Sequence, residues 1–148
     1  VPLPATRAAH PNGIILSADE QSFFLNVYLG DELQHRALPD GELLGSVAIA
    51  KPDNASWSDD GQLLIASHEG SLWQVFRSLS QGQERPSELP FSIISVDPVT
   101  LAARPLLRRA GPPMGAGTVA LQRGDALYIG SYVGDRIIRL PLPTSRGQ

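Results

Sequence analysis

The sequence predicts an all-β fold made of three similar units, each with about four short strands. Two observations lead to this prediction. Turn-forming residues separate short apolar runs throughout the chain, whose 148 residues include 13 prolines and 14 glycines. The order of strands and turns also recurs: Asn54 stands 42 residues after Asn12, and the turn at Ser58 stands 41 residues after the turn at Ser17. A repeat of about 40–50 residues with four strands is typical of a β-propeller blade.

The first unit covers residues 12–50 and opens with Asn12-Gly13. Polar turns separate its apolar runs, and its third run alternates apolar and polar residues, as a half-buried strand does. The predicted strands are Ile14–Leu16, Phe23–Leu29, Leu33–Leu38 and Leu43–Ala50.

The second unit, residues 54–108, repeats this order. Its first turn, residues 58–61, combines short polar side chains that bond their own backbone with a glycine that accepts a positive φ. The polar stretch 78–90 is expected to be an exposed insertion or loop. The predicted strands are Asn54–Trp57, Leu63–Ser67, Leu72–Phe76, Phe91–Val96 and Ala103–Arg108.

The third unit covers residues 117–142, with predicted strands at Thr118–Leu121, Leu127–Tyr132 and Arg136–Leu142. Residues 143–148 are expected to form a frayed tail. Nothing in the sequence resembles a long amphipathic helix. A β-sandwich with irregular hairpins is the alternative, but the repeat preserves residue identity as well as spacing. We therefore expect a single β-propeller module of about three four-stranded blades, half of a six-bladed propeller.

The composition bounds the class of protein. Its 42% hydrophobic and 18% charged residues are those of a folded globular chain rather than a disordered one. A net charge of −3 and the lack of a basic stripe argue against nucleic-acid binding. The absence of cysteine excludes disulfides and thiolate metal sites, and no apolar run is long enough for a membrane span. Because the chain begins with Val1, we expect a processed or trimmed product.

Three blades predict a partner. Propellers have about four to eight blades, so a three-bladed module leaves two sheet faces whose apolar side chains need cover. Either a second copy forms a six-bladed homodimer, or another polypeptide supplies the complementary half of the propeller.

Two loops contain candidate binding residues. The segments His10–Ile14 and Lys51–Asn54 each precede the first strand of a unit. The innermost strand of a blade lines the channel, so Asn12, Asp53 and Asn54 are expected to converge at the channel mouth. Amide and carboxylate oxygens are hard donors that suit Ca²⁺. The alternative is that these are ordinary turn residues.

The same residues carry a resemblance to a known family. The stretch Asn12–Asp19 resembles the NGI-x-x-S-x-D blade opening of the paraoxonase/arylesterase family, and the gluconolactonase/senescence-marker family is similar there. Residues 52–68 resemble the next blade, with the pair Asp53-Asn54 opening a strand and His68 following it. Residues 117–120 and 127–131 resemble the closing blade. The match covers nearly the whole chain, in order, and corresponds to the C-terminal half of the family's propeller.

The resemblance implies a six-bladed propeller with a catalytic calcium ion in its channel. It implies that Asn12, Asp53 and Asn54 are metal ligands and that calcium acts as a Lewis acid on an ester or lactone carbonyl. It also implies that Asp53 helps to activate water or attacks the substrate. For His68 it implies substrate binding or proton transfer, since imidazole titrates near neutral pH.

The chain departs from the family in one respect. The family takes a further glutamate, a further asparagine and a histidine dyad from the first half of its propeller, and this sequence contains no counterpart of that half. Three protein ligands are also few for calcium, which takes about six to eight oxygens. We therefore expect an arylesterase- or lactonase-like hydrolase that needs a second half or second copy to complete its site. The alternative is a non-catalytic binding or scaffold module of propeller type.

Overall fold

The computed structural model describes residues 3–80 and 85–142, and these form three antiparallel sheets. In the first sheet each strand pairs with the next one along the chain. Short 3-10 helices lie at Pro4–Thr6 and Tyr28–Gly30. The strands are β1 (Pro11–Leu16), β2 (Ser22–Val27), β3 (Glu32–Ala37) and β4 (Leu43–Ala48).

The second and third sheets follow the same up-and-down order. The second sheet has four strands, with one helix, α1 (Leu72–Ser80), between its second and third strands. The third sheet has three strands within the described residues. The strands are β5 (Pro52–Trp57), β6 (Leu63–His68), β7 (Phe91–Val96), β8 (Ala103–Arg109), β9 (Gly117–Arg123), β10 (Ala126–Ser131) and β11 (Ile138–Pro141).

The first strands of the sheets lie together, because β5 contacts both β1 and β9. Each sheet then leads away from this shared region through its successive strands. The predicted all-β fold of three repeated units is therefore confirmed, and the first strand of every unit lies on the inner side.

The core lies between the sheets, and β6 shows why. Every residue of β6 is buried, and alternate side chains point to opposite faces of the sheet. Leu63 and Ile65 pack with Phe24 of the first sheet, whereas Leu64 and Ala66 pack with residues of the third sheet, such as Leu127. Burying each large side chain contributes about 1.5–3 kcal/mol. The middle sheet thus holds its two neighbours together.

The strand predicted at Leu72–Phe76 is wrong, because these residues begin helix α1. Ser71 and Gln74 form a reciprocal cap at its start. The Ser71 amide donates to Gln74 Oε1 over 2.8 Å, and the Gln74 amide donates to Ser71 Oγ over 3.3 Å. This capping box satisfies amides that have no partner within the helix.

The stretch 78–90 is only partly exposed. Ser78, Ser87 and Leu89 are buried, and the hydroxyls of Ser78 and Ser87 lie 2.6 Å apart in a hydrogen bond. Residues 81–84 lie outside the described residues, as does the tail at 143–148. Among the described helices, none has the length and apolar character needed to cross a membrane.

Candidate functional site

The site lies where β1 and β5 begin. Both strands lose regular pairing with their neighbours there: the register shifts between Pro11 and Ile14 in β1 and between Pro52 and Ala55 in β5. Such bulges remove residues from the ladder and re-aim their side chains. The irregular segments contain Asn12 in one strand and Asp53-Asn54 in the other, so the same local distortion presents all three predicted residues.

Gly13 allows the two strands to approach each other. A Cβ atom at this position would lie 2.4 Å from the backbone oxygen of Asp53 and 2.8 Å from Cα of Asn54. Backbone atoms cannot yield as a flexible side chain can, so any larger residue would push β1 away from β5. The Asn-Gly pair therefore has a packing role as well as a turn-forming one.

Asp53 is the centre of the cluster. Its Oδ1 accepts hydrogen bonds from Asn12 Nδ2 over 3.1 Å and from Asn54 Nδ2 over 2.7 Å. Asn54 Nδ2 also donates to the backbone oxygen of Thr118 in the third sheet, over 3.0 Å. The structure thus brings Asn12, Asp53 and Asn54 together at one point and links all three sheets there.

The charge of Asp53 is poorly compensated. Burial raises its pKa to about 6, while the hydrogen bond from Asn12 acts in the opposite direction. No lysine or arginine of residues 3–80 and 85–142 forms an ion pair with it. His68 Nε2 lies 4.0 Å from Asp53 Oδ2, and the charge of His10 acts weakly on Asp53, in the direction that lowers its pKa. A buried carboxylate without a cation costs free energy, so this environment favours binding of a positive ion.

His68 ends β6 beside this carboxylate. Its side chain is 1% exposed, and burial lowers its pKa to about 4, so the imidazole is neutral at pH 7. The hydroxyl of Tyr28 lies 2.8 Å from its Nδ1. The rings of Tyr28 and Tyr132 meet the imidazole edge-on, with centroids 5.7 and 5.6 Å away. Nε2 is buried and has no hydrogen-bond partner among the described residues.

Sequence reasoning missed Asn26, Tyr28 and Tyr132 as residues of this site. Asn26 is fully buried, and its Nδ2 donates to the backbone oxygen of Asp53 over 2.7 Å. Its Oδ1 is buried and has no hydrogen-bond partner within the described part of the chain. The sequence offered one signal for Asn26, which is that it is a polar amide within the apolar run Phe23–Leu29.

The donor chemistry fits calcium. The cluster offers a carboxylate and amide groups, and calcium prefers oxygen ligands. The uncompensated charge of Asp53 and the unpartnered Oδ1 of Asn26 are both features that a cation would satisfy. No group of three or more His, Cys, Asp or Glu side chains suited to a metal occurs in residues 3–80 and 85–142. A metal here would therefore depend on asparagine oxygens.

Two solved structures resemble the fold of this chain. A gluconolactonase of Xanthomonas campestris matches over 93% of this chain and 39% of its own, with 23% identity and a TM-score of 0.53. A proposed 6-phosphogluconolactonase of Bacteroides fragilis matches over 84% of this chain and 32% of its own, with 14% identity and a TM-score of 0.52. The chain consists of β-propeller blades.

These likenesses show the fold, and the predicted fold class is confirmed. No protein-family model matches the chain, and no curated protein matches its sequence. The chain spans between 32% and 39% of the length of the two propellers that it resembles. These comparisons therefore do not assign an activity, a substrate or an assembly to this chain.

Proposed function

We propose that this chain forms part of a calcium-dependent hydrolase of esters or lactones. The observation that carries the proposal is the buried, uncompensated carboxylate of Asp53, held by two asparagine amides beside the neutral His68. The position of this cluster supports it, since the first strands of propeller blades surround the channel where ligands bind. A gluconolactonase among the structural neighbours makes a lactone a reasonable substrate class.

In this proposal Asn12, Asp53 and Asn54 hold the calcium ion. When bound, the ion would supply Lewis-acid polarisation of the substrate carbonyl and stabilise negative charge on its oxygen. Asp53 provides the formal negative charge of the ligand set, and its second oxygen would take a proton from an attacking water. His68 lies close enough to Asp53 to contact a substrate or water oxygen between them.

The experiment compares two matched substitutions, Asp53→Asn and Asp59→Asn. Asp53 lies at the start of β5, whereas Asp59 follows its end and accepts a hydrogen bond from the Gly124 amide over 2.9 Å. Hydrolysis of phenyl acetate and of a lactone panel is measured in an assembled sample with calcium, with chelator and after calcium is restored. We expect chelator-sensitive activity, with a loss of about 100-fold or more in the Asp53 variant only.

Two results would contradict the proposal. One is activity that chelator does not reduce. The other is no activity in an assembled, calcium-loaded sample. In the second case the chain is better described as a binding or scaffold module, and Asp53→Asn should then leave partner binding unchanged.

We further propose that the active species needs a second copy or a complementary propeller half. The two end sheets support this, because each leaves apolar side chains exposed. Ile14 and Leu16 of β1 are 65% and 46% exposed, and Leu121 of β9 is 57% exposed beside its cross-strand neighbour Tyr128. In a closed six-bladed ring such faces would be covered by the adjoining blades.

A further inference from the structure

Tyr28 is fixed in place next to His68. It begins the 3-10 helix that follows β2, and its backbone amide donates to the His10 oxygen over 3.1 Å. Only 8% of the residue is exposed. Asp31, at the end of the same short helix, adopts a left-handed conformation with φ of 53°, which turns the chain into β3. The tyrosine ring therefore has little freedom, and its hydroxyl reaches His68 Nδ1 in one defined geometry.

One proton must lie between the Tyr28 oxygen and His68 Nδ1, which are 2.8 Å apart. If Nδ1 carried it, the tyrosine hydroxyl would accept that bond, and its own proton would need another acceptor. The hydroxyl makes no second hydrogen bond to the described residues. If the hydroxyl donates instead, the buried O–H and the Nδ1 lone pair are both satisfied. Buried polar groups are almost always paired, so the geometry favours tyrosine as the donor.

A neutral imidazole carries one N–H, and the hydrogen bond at one nitrogen sets where it lies. A donated bond at Nδ1 therefore leaves the proton on Nε2. That nitrogen is buried, has no partner among the described residues and lies 4.0 Å from Asp53 Oδ2, which is beyond hydrogen-bond distance. The backbone oxygens of Ala116 and Gly117 also favour a protonated ring nitrogen. Neither forms a hydrogen bond with Nε2 in the described residues, so the N–H is available to an oxygen that enters beside Asp53.

We infer that Tyr28 is a positioning residue that fixes His68 as its Nε2–H tautomer and so makes it a hydrogen-bond donor to the substrate oxygen. The tautomer follows from the contacts alone. The donor role rests on the proposed hydrolase function, and it distinguishes His68 from a general base that accepts a proton at Nε2.

The first test reads the tautomer directly, without activity. The chain has three histidines, and the long-range ¹H–¹⁵N spectrum of the labelled, chelator-treated protein distinguishes the protonated from the unprotonated nitrogen of each ring. His68→Gln assigns the His68 signals. We expect the Nε2–H pattern in the unmodified protein at pH 7.5, and its conversion toward a mixture of tautomers in Tyr28→Phe.

Tyr132→Phe is the matched control. Tyr132 also meets the His68 ring edge-on, but its hydroxyl makes no hydrogen bond within the described residues. We expect this variant to keep the Nε2–H pattern. Two results would overturn the inference. One is an Nδ1–H pattern in the unmodified protein, which is informative even if Tyr28→Phe fails to fold. The other is a tautomer pattern that stays the same in a folded Tyr28→Phe variant.

Kinetics then test the donor role. In the active assembly, Tyr28→Phe should lower kcat by about 10- to 100-fold with little change in KM, because a misplaced donor weakens stabilisation of the transition state rather than substrate binding. An unchanged kcat would overturn the donor role. If the assembly has no hydrolase activity while the Nε2–H pattern is present, the proposed function fails and the tautomer assignment stands.

Discussion

Asp53 is a carboxylic acid that the fold removes from water, and no lysine or arginine in the described part of the chain forms an ion pair with it. Its pKa rises from an ordinary 3.8 to about 6 because of burial, so the folded chain holds this proton more tightly than the unfolded chain. The fold is therefore favoured below pH 4, and this contribution is lost as the pH rises through 6. With chelator present, Asp53→Asn should raise Tm at pH 7.5 and have little effect at pH 3.5. Thermal unfolding across this range measures the difference.

Asp97 provides a control of opposite sign. Its pKa lies below the usual value because its carboxylate accepts hydrogen bonds from Thr100 and from the Val99 amide in the turn between β7 and β8. The Asp97 carboxylate therefore stabilises the fold at a pH above its pKa in the unfolded chain, and this stabilisation is lost as the pH falls through its lower pKa in the folded chain. Asp97→Asn should lower Tm at pH 7.5. A Tm decrease in both variants at that pH would contradict the assignment of Asp53 as a destabilising charge.

Residue chemistry explains which part of the cluster could be predicted. Asn12 and Asp53 stand in turn-like segments at equivalent places in the repeat. Repeat spacing together with propeller topology predicts that they converge, with ordinary turn residues as the alternative. Tyr28 and Asn26 stand in a single apolar run, where side chains alternate between faces. Until the strand pairing was known, nothing in the sequence indicated that both would lie against Asp53 or His68. Register, rather than composition, decides which polar side chains of a buried strand reach the site.

At the scale of secondary structure, helix α1 depends on its first turn. Ser71→Ala removes the side-chain oxygen that accepts the Gln74 amide, and loss of such a cap costs about 0.5–2 kcal/mol. The helix is short and much of its surface is exposed, so we expect its amides to exchange faster while those of β6 and β7 are unchanged. Hydrogen exchange resolved by segment measures this. Equal acceleration in the two strands would show that the helix unfolds only with the whole chain.

The same helix shows where strand prediction failed. The run Leu72–Phe76 is rich in residues that are common in strands. Five residues are too few to distinguish the alternation of a strand from the longer period of a helix. Leu72, Trp73, Phe76 and Leu79 are nevertheless exposed together along the helix, a spacing that strands do not give. The Ser71–Gln74 pair was the decisive sequence signal, because reciprocal capping at this spacing belongs to helix starts.

Across the whole molecule, the sequence repeat predicted the sheets well, because each unit must bury the apolar residues that alternate with polar ones along its strands. All strand predictions apart from the one at Leu72–Phe76 overlap an observed strand. The proposed closure of a propeller ring is harder to predict from the sequence. It would depend on contacts between the outward faces of the first and third sheets and a partner that covers them, and a local sequence pattern carries no information about a partner's surface.

The proposed assembly can be tested by substitutions on those faces. Ile14 and Leu121 lie on the first strands of the two end sheets and are more than half exposed. A buried carboxylate without a partner strongly destabilises an apolar contact, so Ile14→Asp and Leu121→Asp should each reduce the mass of the assembly in solution toward that of the denatured chain. Val99→Asp is the control, because Val99 is 87% exposed in the turn between β7 and β8. Light scattering supplies the masses, and a stable, well-folded monomer of the unmodified chain would contradict the proposed closure.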